Sequence, residues 1–178
     1  LIGLLMSCYF AGFLAGSLLT PKMIQRVGHI RIFAALSAVA SVTILIHAIY
    51  VEPWAWALMR LLTGFAFSTI YVVSESWLNQ ASTNTNRGQI LSIYTAILLA
   101  GICAGQFMLN LANPREFTLF ILISVMVSVA AVPILLSVIT TPTIEDTERV
   151  SIRHLWYRTK MGVTGIILSQ WVSSILFG

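Results

Sequence analysis

The sequence predicts an all-α fold, a polytopic bundle of membrane-spanning helices, and three observations carry that prediction. Of 178 residues, 58% are hydrophobic and 9% charged, and the mean hydropathy is +0.91; an average soluble domain is about a quarter charged. The apolar residues fall in repeated runs of about 20, each long enough to cross a hydrocarbon core roughly 30 Å thick. The charges gather in the short stretches between those runs. Backbone groups in lipid need internal partners, so spans of this length are helices.

Six spans follow in order. The first, Leu1 to Leu19, carries Gly12 and Gly16 four apart, a face that lets a neighbouring backbone approach closely. A basic connector follows, with Lys22, Gln25, Arg26, Gly28, His29 and Arg31; its "QRVGHIR" places a turn glycine among positive charges. The second span, Ile32 to Tyr50, holds Ser37 and Ser41 as packing positions and His47 near its end, read as an interfacial residue rather than a proton relay.

After a connector with Glu52 and Pro53, the third span, Trp54 to Leu78, contains Arg60 and Glu75. An unpaired charge in lipid costs at least about 2.5 kcal/mol, so both are expected to face the bundle interior. At about 100° per residue, Thr63, Gly64, Phe67, Tyr71, Ser74 and Glu75 fall within roughly 60° of Arg60 and form one stripe. A rise of about 1.5 Å per residue separates Glu75 from Arg60 by roughly 22 Å. Arg60 therefore needs a partner on another helix, and Glu75 is either a functional carboxylate or the partner of Arg87 across the next turn.

The fourth span, Gln89 to Leu111, has Ser92, Thr95, Cys103, Gln106 and Asn110 on one face, suited to a wet cavity, and Gly101 and Gly105 nearly opposite, suited to close helix contact. The fifth, Phe117 to Ile139, is apolar almost throughout. Residues 141–160 are the longest polar stretch, with Glu145, Asp146 and Glu148 ahead of "VSIRHLWYRTK", where Ile152, Leu155 and Trp156 share a helical face as in an interfacial helix. A sixth span from Met161 carries Gln170, Ser173 and Ser174 as a polar stripe. The expected organisation is a first bundle over 1–140, a linker over 141–160, and the start of a second bundle over 161–178. The sequence begins and stops inside apolar runs, which reads as part of a longer chain.

Eight of the ten Lys and Arg residues lie in the first, third and fifth connectors, while Arg115 stands alone in the fourth. Positive residues stay on the cytoplasmic side, so residue 1 is expected outside, the 141–160 linker in the cytoplasm, and the protein in the cell's inner membrane. Tyr50, Trp54 and Trp56 at one interface and Trp77 at the other suit aromatic belts.

Other function classes find little support. The pI near 9.4 and net charge of +4 come without the aromatic-interleaved basic patch of a nucleic-acid binder. Cys8 and Cys103 match no metal or redox spacing. No nucleophile with a base, metal cluster, phosphate loop or carboxylate pair is visible, so neither an enzyme nor a cofactor is expected.

Three stretches resemble the major facilitator superfamily. Arg26, Gly28 and His29, with Arg31 beyond, are similar to the end of the family's signature between helices two and three; Gln25 stands where that signature has an acidic residue and Pro21 where it has its first glycine. "RLLTGFAFS", with Arg60, Gly64 and Ser68, resembles the arginine motif of the family's fourth helix. "SESWLN" and "NRG" look like its YcaD-like bacterial branch. Gly101 and Gly105 resemble only loosely the fifth-helix antiporter motif, with Gln106 in place of its proline.

The resemblance covers all 178 residues as helices two to seven of twelve, and it implies partners outside this sequence: the first helix and most of the second bundle. It further implies a secondary active transporter of a small solute working by alternating access, proton-coupled, with efflux one option. Arg60, Thr63, Tyr71, Ser74, Gln106 and Asn110 would line the cavity. Glu75, Arg87, Gln25, Arg26, Gly28 and Arg31 would gate it or couple protons, and Gly12, Gly16, Gly64, Gly101 and Gly105 would pack helices. The alternative is a membrane sensor or assembly protein that keeps this fold without moving solute.

Overall fold

A computed structural model describes residues 2–110, 117–136, 160, 164–165 and 168. They form an all-α structure with no strand among the described residues. In chain order the helices are α1 (Ile2–Val27), α2 (His29–Ile49), α3 (Pro53–Ala81), α4 (Arg87–Met108) and α5 (Thr118–Leu136). All five are long and apolar enough to cross a membrane.

The chain divides into two compact units, Leu1–Pro142 and Thr143–Gly178. The first contains all five helices. In the second, the described residues are helical and exposed, with the Thr164 hydroxyl donating to the Lys160 carbonyl at 2.8 Å. The readings of Arg115, of the acidic cluster, of "VSIRHLWYRT", and of Gln170, Ser173 and Ser174 lie outside the described residues.

The first connector differs from its expectation. Helix α1 does not stop at Leu19 but continues through Pro21 to Val27. A proline removes one backbone bond, to the carbonyl four residues back, and the turns beyond it keep theirs. Gln25 and Arg26 therefore ride exposed on the last helical turn, where a positive charge suits the negative end of the helix dipole. Gly28 alone separates α1 from α2. Its φ of 89° and ψ of 161° turn the chain, and its N–H donates to the Ile24 carbonyl at 2.9 Å.

Between α2 and α3 the turn is also short. Pro53 opens α3 at its first position, where a missing N–H costs nothing. The Trp56 indole N–H donates to the Tyr50 carbonyl at 2.8 Å and ties the connector down.

Helix α3 packs along α1 and α2, α2 packs along α5, and α4 meets α3 over only a few residues. These contacts bury small side chains, Ala40, Ala66, Thr20, Ser68 and Thr69, together with larger ones such as His29, Ile32, Leu36 and Val73. Large apolar side chains such as Phe10, Leu14 and Leu18 point outward. The outward ones follow from the solvent, because lipid tails give apolar side chains no reason to turn inward, and close backbone packing becomes the main attraction.

The α2–α5 contact is closed by hydroxyls. Ser41 Oγ and Ser124 Oγ lie 2.6 Å apart, Ser128 Oγ donates to Ser41 Oγ at 2.9 Å, and Ser124 Oγ donates to the Ser41 carbonyl at 3.2 Å. A double-mutant cycle of Ser41→Ala and Ser124→Ala, followed by SDS titration in bicelles, is expected to give a coupling of about 0.6 kcal/mol and no more than about 1.7. A coupling of zero would mean that the seam holds by shape alone.

Candidate functional site

The α1–α3 crossing sets the geometry. A Cβ added to Gly12 would overlap the Leu61 carbonyl, and one added to Gly64 would overlap the Tyr9 carbonyl. At Gly16 it would stand 2.7 Å from the Phe65 oxygen and 3.1 Å from Ser68 Cβ. The two backbones therefore touch along three glycines. Tyr9, Gly12, Phe13, Gly16 and Thr20 recur at threes and fours and share this face of α1. At its far end the Thr20 hydroxyl lies 2.6 Å from the Gly16 carbonyl and 3.0 Å from Thr69 Oγ1.

Because α1 is drawn in so closely, the Tyr9 carbonyl lies against Gly64 of α3. From the other side α2 packs along α3 and brings His47 to it. On α3, Trp56, Arg60 and Thr63 follow at spacings of four and three, one helical face. Both ends of that face are anchored to α2. The Trp56 ring stands edge-on to His47 with centroids 5.6 Å apart, and the Thr63 hydroxyl lies 3.1 Å from Thr43 Oγ1. Half-buried Arg60 sits between these anchors.

His47 stands two residues before the end of α2 and is packed among the helices, 6% exposed. Its Nδ1 lies 2.7 Å from the Thr43 carbonyl. A carbonyl only accepts, so Nδ1 carries the proton of the neutral ring. Nε2 is then an acceptor, buried and without a partner among the described residues.

The stripe on α3 is not one open face. Thr63 and Gly64 are buried in helix contacts, Tyr71 is partly exposed with its ring 6.5 Å from that of Phe13, and Glu75 is exposed. Ser74 lines an apolar cavity of about 420 Å³ with Phe33, Trp77, Leu78, Ala81 and Ile134. On α4 the Tyr94 hydroxyl is buried without a partner among the described residues.

At the Gly28 end, Lys22, Gln25, Arg26, Arg31 and Arg87 are all exposed. His29 is the exception among the motif residues. It is 1% exposed, and its Nε2 lies 3.2 Å from Ser76 Oγ of α3.

On α4, Gln106 is exposed, and Gly101 and Gly105 have nothing within 4 Å among the described residues. The helix ends at Met108, so Asn110 lies in the following turn, its N–H bonded three residues back to the Phe107 carbonyl at 3.0 Å. Leu109 between them keeps helical backbone angles.

Sequence reasoning passed over Tyr9, Ser76 and Tyr94. For Tyr9 a signal existed, since it stands three residues before Gly12 on the small-residue face of α1. Ser76 lies about 160° around α3 from Arg60, off the stripe expected to face inward, and Tyr94 lies off the polar face expected of α4.

The sequence matches the Major Facilitator Superfamily over residues 1–178. Among curated relatives, an uncharacterized MFS-type transporter of Yersinia enterocolitica is 28% identical over 182 residues, covering 99% of this chain and 47% of the relative. The uncharacterized MFS-type transporter YcaD of Escherichia fergusonii is 28% identical with the same coverage, and a relative from an Enterobacter species is 30% identical. The chain spans about half the length of the curated relatives it matches. No solved structure matches it. Five membrane-length helices, a glycine-lined crossing that carries the arginine motif, and a family match over the full chain lead to one assignment: this multi-pass membrane chain belongs to the Major Facilitator Superfamily.

Proposed function

We propose that the chain forms roughly helices two to seven of a twelve-helix secondary transporter that moves a small solute by alternating access. The observation that carries this reading is Arg60. It is an intramembrane arginine with no ion pair among the described residues, held where α1, α2 and α3 meet. Ionisable groups at such depth mark solute or ion pathways. The relatives' names as transporters support the same class.

In this reading Arg60, Thr63, Tyr71 and Ser74 border the solute path, joined by Gln106 and Asn110 once the remaining helices are in place. Glu75, Arg87, Gln25, Arg26, Gly28 and Arg31 form the gate at the Gly28 end, which faces the cytoplasm with the 141–160 linker, while residue 1 lies outside the inner membrane. Gly12, Gly16 and Gly64 hold the bundle. The exposed Gly101 and Gly105 face of α4 receives a helix outside this sequence, and the second bundle completes the transporter. Protons are the coupling ion.

The test uses the full chain in proteoliposomes with a trapped pH dye and pooled small solutes, with and without an imposed pH gradient. Solute-dependent proton flux that Arg60→Ala abolishes and Arg60→Lys partly restores is the expected result. Flux indifferent to Arg60 would remove it from the pathway. Silence across the panel with folded protein would overturn transport.

A further inference from the structure

Ser74 of α3 carries a hydroxyl with no hydrogen-bond partner among the described residues. Elsewhere in the bundle helical hydroxyls bond back into their own helix: Thr20, Thr63, Ser92 and Thr95 each donate to the carbonyl four residues earlier, at 2.6–2.9 Å. Ser68 is also unpaired, but it is buried against Gly16. Ser74 has space in front of it.

That space is the cavity of about 420 Å³ near the Gly28 end, walled by Phe33 of α2, by Trp77, Leu78 and Ala81 of α3, and by Ile134 of α5. Its α2 and α3 walls are held together beside it. His29 meets Ser76 at 3.2 Å, and Phe33 follows His29 by four residues, one turn along the same face. The volume lies within the roughly 300–1,000 Å³ of small-molecule sites.

The lining restricts the occupant. None of the lining residues is ionisable. Glu75 is exposed and stands outside the lining, and Arg60 is roughly 21 Å from Ser74 along α3. A charged molecule would therefore exchange water for an apolar wall without a counter-charge, which is costly. Water itself fits poorly, since a buried water makes about three hydrogen bonds and the described wall offers Ser74 and at most the Trp77 indole N–H. A lipid acyl chain would match the hydrocarbon but leave the hydroxyl unmet.

We propose that this cavity binds a small uncharged molecule, mostly apolar, that carries one hydrogen-bond acceptor. The Ser74 hydroxyl donates to the acceptor while Phe33, Trp77 and Ile134 enclose the apolar body. Such a molecule partitions into the bilayer, which serves as its reservoir. The inference rests on the transport reading, in which Ser74 borders the solute path, and names the solute class; it is tested by binding, without flux.

Benzophenone has this chemistry: two phenyl rings, one carbonyl, and photoreactivity that records where it sits. The full chain in nanodiscs is irradiated with increasing benzophenone, and the adducts are mapped by mass spectrometry. Saturable adducts are expected at Phe33 and within residues 74–81. Ser74→Ala should raise the half-saturating concentration about three- to tenfold, the worth of one neutral hydrogen bond. Diphenylmethane, which lacks the oxygen, should compete with the same inhibition constant in wild type and Ser74→Ala. Ala81→Phe, which adds a ring to the wall and spares the hydroxyl, should reduce the adducts at least about tenfold.

Adducts spread over all spans in proportion to their lipid exposure, or no saturable adduct on folded protein, would overturn the site. An unchanged half-saturating concentration in Ser74→Ala would overturn the ligand class, because hydrocarbon alone would then fill the cavity. Saturable adducts with silent flux would uphold the site while the transport reading fails. Solute flux in a chain without such adducts would do the reverse.

Discussion

Gly64→Ala is expected to destabilise the bundle by about 3 kcal/mol, the upper end of what overpacking costs, and Gly12→Ala by a similar amount. In both cases the new methyl would overlap a backbone carbonyl rather than the far end of a flexible side chain: Tyr9 for Gly64 and Leu61 for Gly12. A carbonyl in a helix cannot rotate aside, so α1 as a whole must retreat from α3. The retreat would lengthen the Thr20–Thr69 contact, 3.0 Å between hydroxyl oxygens. SDS titration in bicelles measures the loss. Gly3→Ala, with nothing within 4 Å among the described residues, should change stability by less than about 0.5 kcal/mol. Equal effects at Gly3 and Gly64 would show that helix propensity, not the crossing, is being measured.

Gly28→Ala is expected to cost about 1–3 kcal/mol for a different reason. Space is not the obstacle, since a Cβ there meets nothing within 4 Å. The backbone is: φ 89° with ψ 161° lies in a region that is essentially glycine-only. Asparagine relieves strain at ordinary left-handed positions, where ψ is near +47°, so Gly28→Asn should be no better tolerated than Gly28→Ala. A chain that relaxes at residue 28 also rotates the start of α2, which would take His29 from Ser76. The thermal midpoint in nanodiscs, with Gly88→Ala at the exposed start of α4 as reference, measures the effect. Rescue by asparagine would place the strain elsewhere.

Both predictions show how unevenly the molecule was legible. The apolar runs located the five described helices, because membrane thickness imposes a length on each span independently of its neighbours. Gly12 and Gly16 were visible as a face because their spacing matches one helical turn. The end of α1 was not, since Pro21 reads locally as a terminator while the turns on either side of it retain their own hydrogen bonds.

The contents of the site divide the same way. Arg60 stood out in the sequence because a charge in a span is costly wherever it points. The burial of His47, the approach of Tyr9, the His29–Ser76 contact and the Ser41–Ser124 seam were decided only by the tertiary structure. They depend on how each helix is rotated about its axis. A helix such as α5, apolar nearly all round, carries no periodicity that states that rotation. Sequence alone therefore determined that this chain is a set of membrane helices with a charge in the third. How that helix meets α1 was decided by backbone contact at Gly12, Gly16 and Gly64, where missing side chains let α1 and α3 approach and turned their remaining residues toward one another.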